Sequence, residues 1–100
     1  MKPLIFHSAV AAELTGATAY LDASHDGLGR DFRLDVQEAL DRIVANPFLY
    51  AVEVRDFRRC PLRRFSYMIT YTDRDDCVWI AAVAHNRRRP CYWRSRRYGE

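Results

Sequence analysis

"VQEALDRIVANPFLYAVEVRDF", residues 36–57, changes rhythm halfway along, and that change decides the fold. Up to Ala45 the apolar residues recur at helical spacing. Phe32, Val36, Leu40 and Ile43 form one stripe, while Asp35, Glu38, Asp41 and Arg42 fall largely off it. Asn46-Pro47 then ends the helix, because the residue before a proline is pushed out of the helical region. Beyond it the period is two. In "YAVEVRDF" (50–57), Val52 and Val54 point one way and Glu53 and Arg55 the other, as in a half-buried strand. Helices before the proline and strands after it predict an α+β domain.

Toward the N-terminus, "PLIFH" (3–7) predicts a short opening strand, and Ser8 stands where a helix N-cap belongs. Val10, Leu14, Ala17 and Leu21 repeat at i, i+4, i+7 and i+11, a helix running to about Ser24. "HDGLG" (25–29) is a turn, so the two helices form an αα-hairpin. Toward the C-terminus, "RRFSYMITYT" (63–72) alternates Phe65, Tyr67, Ile69 and Tyr71 with Ser66, Met68, Thr70 and Thr72. "CVWIAAVAH" (77–85) predicts a more buried strand, which places Trp79 with Tyr71 in the core, and "DRDD" (73–76) is the hairpin turn between them. The expected architecture is a short N-terminal strand and a two-helix hairpin packed on a three- to four-stranded antiparallel sheet, one domain over residues 1–100. If Phe65 to Tyr71 face the helices, Arg64 shares the outward parity. By the same count His85 lies on one side with Trp79, Ala81 and Val83, and a slip of one residue reverses the sides.

The totals exclude several classes. Apolar residues at 49% with 29% charged are those of a globular domain and argue against disorder. Uncharged stretches such as 43–52 and 77–86 run only ten residues, against the roughly 20 needed to cross a bilayer, so no membrane span is expected. The opening "MKPLIFHSAVAAEL" has too short an apolar run for a signal peptide and is expected to belong to the folded domain. Cys60, Cys77 and Cys91 cannot all pair within one chain, which suits a reducing cytoplasm. Together with His7, His25 and His85 they match no zinc spacing, and neither metal nor cofactor is expected.

The net charge of +3 conceals an asymmetry. Residues 1–50 carry four basic against seven acidic residues, whereas residues 51–100 carry twelve arginines against six acids. Lys2 is the sole lysine. Arginine's planar, permanently charged fork suits bidentate contact with carboxylate or phosphate, so the bias favours a recognition surface. Its densest part is "AHNRRRPCYWRSRR" (84–97), with six arginines, a proline and two large aromatics. Pro90 is expected to fix the chain after the last strand.

Four stretches together, "HSAVAAELTGATAYLD" (7–22), "GLGRDFRLDVQEALDRIVANPFLY" (27–50), "LRRFSYMITY" (62–71) and "VWIAAVAHNRRRPCYWRSR" (78–96), resemble the RelE/ParE superfamily of bacterial toxins, from about Phe6 to Arg96. The most specific parts are the Asn-Pro that closes the second helix, the L-R-R-F-x-Y-x-I-x-Y run, and A-V-A-H-x-R-R-x-P-x-Y-W-x-x-R near the end. The resemblance implies a toxin of a type II toxin–antitoxin, or plasmid stabilisation, module in the bacterial cytoplasm. It also implies a cognate antitoxin that wraps an acidic, partly disordered segment around the toxin as a hetero-oligomer, suiting the arginine-rich half. Family members divide by target: RelE-like toxins cut messenger RNA in the ribosomal A site, and ParE-like toxins inhibit DNA gyrase. Fold alone does not choose between them.

Metal-free RNA cleavage needs a base for the 2′-OH proton, a cation for the charge gathering on the phosphate, and an acid for the leaving oxygen. In that case His85 is the proton-transfer group, Arg64, Arg87 and Arg88 clamp phosphate, and Tyr67 or Tyr92 stacks on or donates to a base. RelE-like nucleases resemble one another in placing lysines on the sheet, and this chain has none after Lys2, which favours the ParE-like branch. A non-catalytic inhibitor needs only a shaped, charged, aromatic-bearing surface. For it the expected contacts are Arg63, Arg64, His85, Arg87, Arg88, Arg89, Tyr92, Trp93 and Arg96. A generic basic RNA-binding module, held mainly by phosphate contacts, is the third possibility.

Overall fold

The chain runs β1 (Leu4–Phe6), α1 (Val10–Ser24), α2 (Leu28–Ala45), β2 (Val52–Val54), β3 (Phe57–Pro61), β4 (Tyr67–Asp73), β5 (Val78–His85) and a closing 3-10 turn, Tyr92–Ser95. It is known from a computed structural model that describes residues 1–89 and 91–99; Pro90, expected to fix the chain after the last strand, lies outside them.

Among the described residues five strands form one mixed sheet in the order β1-β5-β4-β3-β2. The last four make an antiparallel meander, and β1 lies parallel to β5, with Leu4 opposite Val78 and Phe6 opposite Ile80. The sheet is therefore larger than the three to four antiparallel strands expected. The stretch expected as one strand, 50–57, is β2 plus a tight turn at Arg55-Asp56, with Phe57 opening β3. A bulge between β2 and β3 interrupts the alternation there, and Arg-Asp carries none of the Asn-Gly signal of two-residue hairpins. Residues 63–66, expected to begin the next strand, form a bend before β4.

Both helices pack on one face of the sheet. From α2, Phe32, Val36, Ala39, Leu40 and Ile43 are buried against Cys60, Tyr67, Ile69, Tyr71, Ile80 and Val83. The Phe32 ring sits 4.8 Å from that of Tyr67 and edge-on to Phe65 at 5.7 Å. The first helix buries only Val10 and keeps Leu14, Ala17 and Leu21 half-buried, because it rests on α2 and the margin of the sheet. The helices cross closely at Gly29. A Cβ there would lie 2.7 Å from the Thr18 carbonyl oxygen, and the Gly29 amide donates to Asp22 Oδ1 at 2.7 Å. Asp22 thus supplies the acceptor that α2's first turn lacks, since Gly27 at its N-cap has no side chain. Ser8 does not cap α1 as expected: the helix begins at Val10 after Ala9, and the Ala9 amide donates to His7 Nδ1 instead.

One irregularity reassigns the sides of β5. Thr70 pairs with Ala82 and Tyr71 with Ile80, which leaves Ala81 as an extra residue. Before the bulge Val78 and Ile80 face the helices and Trp79 faces away; after it Val83 faces the helices. His85, opposite Tyr67, consequently lies on the helix-facing side and not with Trp79 as the simple count predicted.

Candidate functional site

The sheet face turned away from the helices carries its own small core of Phe57, Cys77, Trp79, Ala81, Ala82 and Trp93. Trp93 comes from the arginine-rich stretch itself. After β5 the Asn86 amide donates to the Ser66 carbonyl, and the Arg87 amide donates to His85 Nδ1 at 3.0 Å, turning the chain back. Cys91 then takes a left-handed conformation, φ 59°, and the 3-10 turn sets the Trp93 ring 4.7 Å from Phe57, leaving Trp93 only 4% exposed. Burial of an indole this complete is worth on the order of 2–3 kcal/mol, and it fixes the segment on the sheet.

A polar clamp finishes the attachment. β1 ends at Phe6, so among the described residues the β5 edge from Ala81 onward has no neighbouring strand on that side. Glu13 and Arg96 take its place. The Val83 amide donates to Glu13 Oε1 at 3.0 Å, and Arg96 Nη1 donates to the Ala81 carbonyl at 2.7 Å. The second carboxylate oxygen accepts from Arg96 Nη2 at 2.9 Å and from the Tyr92 hydroxyl at 2.6 Å. Both side chains of the Glu13–Arg96 pair are largely shielded from water, in the regime where removing one partner is costly. The Arg88 and Arg96 guanidiniums lie over the Tyr92 ring, 4.1 and 5.0 Å from its centre. Burial, then the bond to Glu13, raises the Tyr92 pKa well above the usual phenol range, so the hydroxyl is a committed neutral donor.

The stretch therefore divides in two. Trp93 and Arg96 are turned into the molecule, and Tyr92 joins them. Arg87, Arg88, Arg89 and Arg94 are exposed, and among the described residues no carboxylate pairs with any of them. Arg63 and Arg64 lie in the bend before β4, drawn toward α2 by Glu38 at 2.8 Å and Asp31 at 3.5 Å. The bend is anchored by Asp35, whose buried carboxylate accepts from the Arg64 amide at 2.8 Å. Asp35 is thus a buried structural acceptor, although it falls off the apolar stripe of α2.

His85, Arg88, Arg89, Tyr92 and Trp93 share one depression with Arg59, and Arg64 and Arg87 do not line it. Only ≈ 20 Å³ of it is open, about the room of a single water molecule, too little for a base or a phosphate without movement. Arg59 was missed in the sequence because β3 was not recognised there. Its Nε is buried without a hydrogen-bond partner among the described residues, and Nη1 reaches Glu53 only at 3.5 Å. The His85 ring leans edge-on against Tyr67 at 5.2 Å, and its Nδ1 is occupied by the Arg87 amide, which leaves Nε2 to carry the proton when the ring is neutral. Among the described residues no carboxylate lines the depression, and Tyr92 is held neutral there beside His85 and the Cys91 thiol. The depression is thus a cationic surface backed by the Tyr92 and Trp93 rings.

No family model matches the sequence. The chain is 32% identical over 90 residues to "Toxin ParE2" of Mycobacterium tuberculosis (strain CDC 1551 / Oshkosh), covering 89% of this chain and 86% of that protein. The same figures hold for "Toxin ParE2" of strain ATCC 25618 / H37Rv. Among solved structures, a chain of the "Chromosomal ParDE TA system from P. aeruginosa" superposes with a TM-score of 0.74 at 16% identity, over 85% of this chain and 96% of that one, a likeness of fold.

Proposed function

Because the chain belongs to the RelE/ParE family of toxins, we propose that its exposed arginine face docks on DNA gyrase without catalysis, and that an antitoxin silences it. The observation that carries this reading is the division of the arginine-rich stretch. Arg87, Arg88, Arg89 and Arg94 are displayed without carboxylate partners among the described residues, on a segment that Trp93 and Arg96 hold rigidly against the sheet. Pre-set arginines beside aromatic rings are typical of interface hot spots, and rigidity limits the entropy lost on docking. The antitoxin would present an acidic segment to the same arginines, so that neutralisation and target binding compete for one charge pattern. Cys60, Cys77 and Cys91 are all free thiols, which supports a reducing cytoplasm as the place of action. No described helix is long and apolar enough to cross a membrane.

Messenger RNA cleavage is the second reading, favoured by the buried, unpartnered Nε of Arg59 beside His85 and Arg88. Expression in a bacterial host, with transcript mapping and a supercoiling assay on purified gyrase, separates the two. The proposal expects growth arrest, inhibited supercoiling and uncut transcripts. Codon-phased cuts with unimpaired gyrase would overturn it. Arg88→Ala with Arg89→Ala is expected to abolish the arrest without lowering the melting temperature.

A further inference from the structure

A second hollow, separate from the depression that His85 borders, lies on the sheet face turned away from the helices, at the Trp79 end. It encloses ≈ 280 Å³, close to the lower limit of small-ligand pockets. Three distant pieces of chain converge on it: the β2–β3 turn with Arg55 and Asp56, the end of β4 with Thr72 and Arg74, and the C-terminal segment with Arg96, Arg97 and Tyr98, so that four arginines face one carboxylate. Its floor is the buried Trp79.

We propose that this hollow binds the phosphate group of a small, nucleotide-sized ligand. Arg55 and Arg74 have no carboxylate partner among the described residues, and Arg74 is oriented but not neutralised by lying 4.4 Å over the Tyr98 ring. Arg55 occupies a left-handed position, φ 53°, where hairpin turns favour glycine or asparagine. A glycine would relieve that backbone strain, whereas the arginine brings a guanidinium to the lining of the hollow. Thr72 lines the hollow at 1% exposure, and its hydroxyl has no hydrogen-bond partner among the described residues. Donors arriving from separate segments suit the three-directional oxygens of a phosphate better than the flat pair of a carboxylate. The flank of the hollow excludes a longer polyanion. Asp56 at the rim, with Asp75 and Asp76 just beyond Arg74 and Tyr98, would repel a nucleic-acid backbone running across the site, whereas Asp73 is paired with Lys2. The inference does not depend on the toxin's target.

The test is a titration of the full chain, followed by calorimetry and amide NMR at physiological salt, with AMP, ATP and a single-stranded DNA 12-mer as probes. AMP and ATP are expected to saturate with dissociation constants below about 1 mM, shifting the amides around Arg55, Thr72 and Trp79. The 12-mer is expected to bind more weakly there. Two variants separate a site from a structural feature. Arg55→Gly relieves the turn, and Thr72→Val removes an unsatisfied buried hydroxyl, so both should keep or raise the melting temperature while weakening nucleotide binding about tenfold. Arg88→Ala with Arg89→Ala should leave it unchanged. The proposal is overturned if neither nucleotide saturates up to about 10 mM, if the 12-mer binds these residues more tightly than ATP, or if the Arg88/Arg89 variant weakens binding as much as Arg55→Gly does.

Discussion

Replacing Glu13 by alanine is expected to loosen the C-terminal segment from the sheet while sparing the helix-side core. The carboxylate accepts from the Val83 amide, the Tyr92 hydroxyl and Arg96, and all three donors lose their acceptor at once. Arg96 keeps its bond to the Ala81 carbonyl, and its side chain is 14% exposed, so part of the penalty is relieved by water. Breaking one end of a buried ion pair costs about 3–5 kcal/mol, and with that relief we expect about 3 kcal/mol. In a domain of this size each kcal/mol moves the midpoint by roughly 4–8 °C, so the variant should melt on the order of 12 °C or more below the parent. Glu13→Gln keeps the shape and one acceptor oxygen and should fall between the two. Calorimetry gives the midpoint, hydrogen exchange at the Val83 amide reports the clamp, and a red-shifted tryptophan emission reports release of Trp93. The pair is shielded, so added salt should change the difference little. If Glu13→Ala melts within about 2 °C of the parent with Val83 equally protected, the clamp does not hold the segment and the rigid display of arginines loses its support.

Three further outcomes follow from the geometry. Gly29→Ala should destabilise the fold by about 1–3 kcal/mol in urea melts, because the added methyl meets the Thr18 carbonyl and the Asp22 carboxylate at 2.7 Å. Alkaline pH should weaken the fold. Burial pushes the Tyr71 hydroxyl, bonded to the Pro47 carbonyl, up to about 12, and burial with the Glu13 bond raises that of Tyr92. Both ionise near 10 when the chain is unfolded, so their contribution is whole below about pH 10 and is lost as pH climbs toward the folded values. Urea midpoints should be level from about pH 8 to 9.5 and fall above 10, and less steeply in Tyr71→Phe. Finally, His85→Ala should leave growth arrest intact, as judged by colony counts on induction; a folded but harmless variant would favour cleavage.

The sequence discloses most of what periodicity can carry. The Phe32–Ile43 stripe, the stop at Asn46-Pro47 and the alternation through Tyr71 arise from side chains meeting one large core, and burial enforces the pattern. What stayed hidden depends on local geometry that leaves little trace in residue type. The turn at Arg55-Asp56 lacks glycine and asparagine, so β2 and β3 merged into one expected strand and Arg59 escaped notice. The bulge at Ala81 inserts a small residue into a run of small residues, where nothing in the pattern marks the change of side, and His85 changed faces with it.

The arginine-rich stretch shows why composition alone does not locate a surface. Its residues are alike in type, yet Arg96 is buried on Glu13, a residue 83 positions earlier, while Arg87, Arg88, Arg89 and Arg94 remain outside. What sorts them is the unpaired edge of β5. Once β1 stops at Phe6, the Ala81 carbonyl and the Val83 amide require partners, and a carboxylate with a guanidinium supplies an acceptor and a donor together. That requirement draws in one arginine, brings Tyr92 and Trp93 with it, and orients the remaining arginines away from the sheet. Edge protection and the displayed cationic face therefore have a common physical origin, and a change that releases the edge should disorganise the face as well.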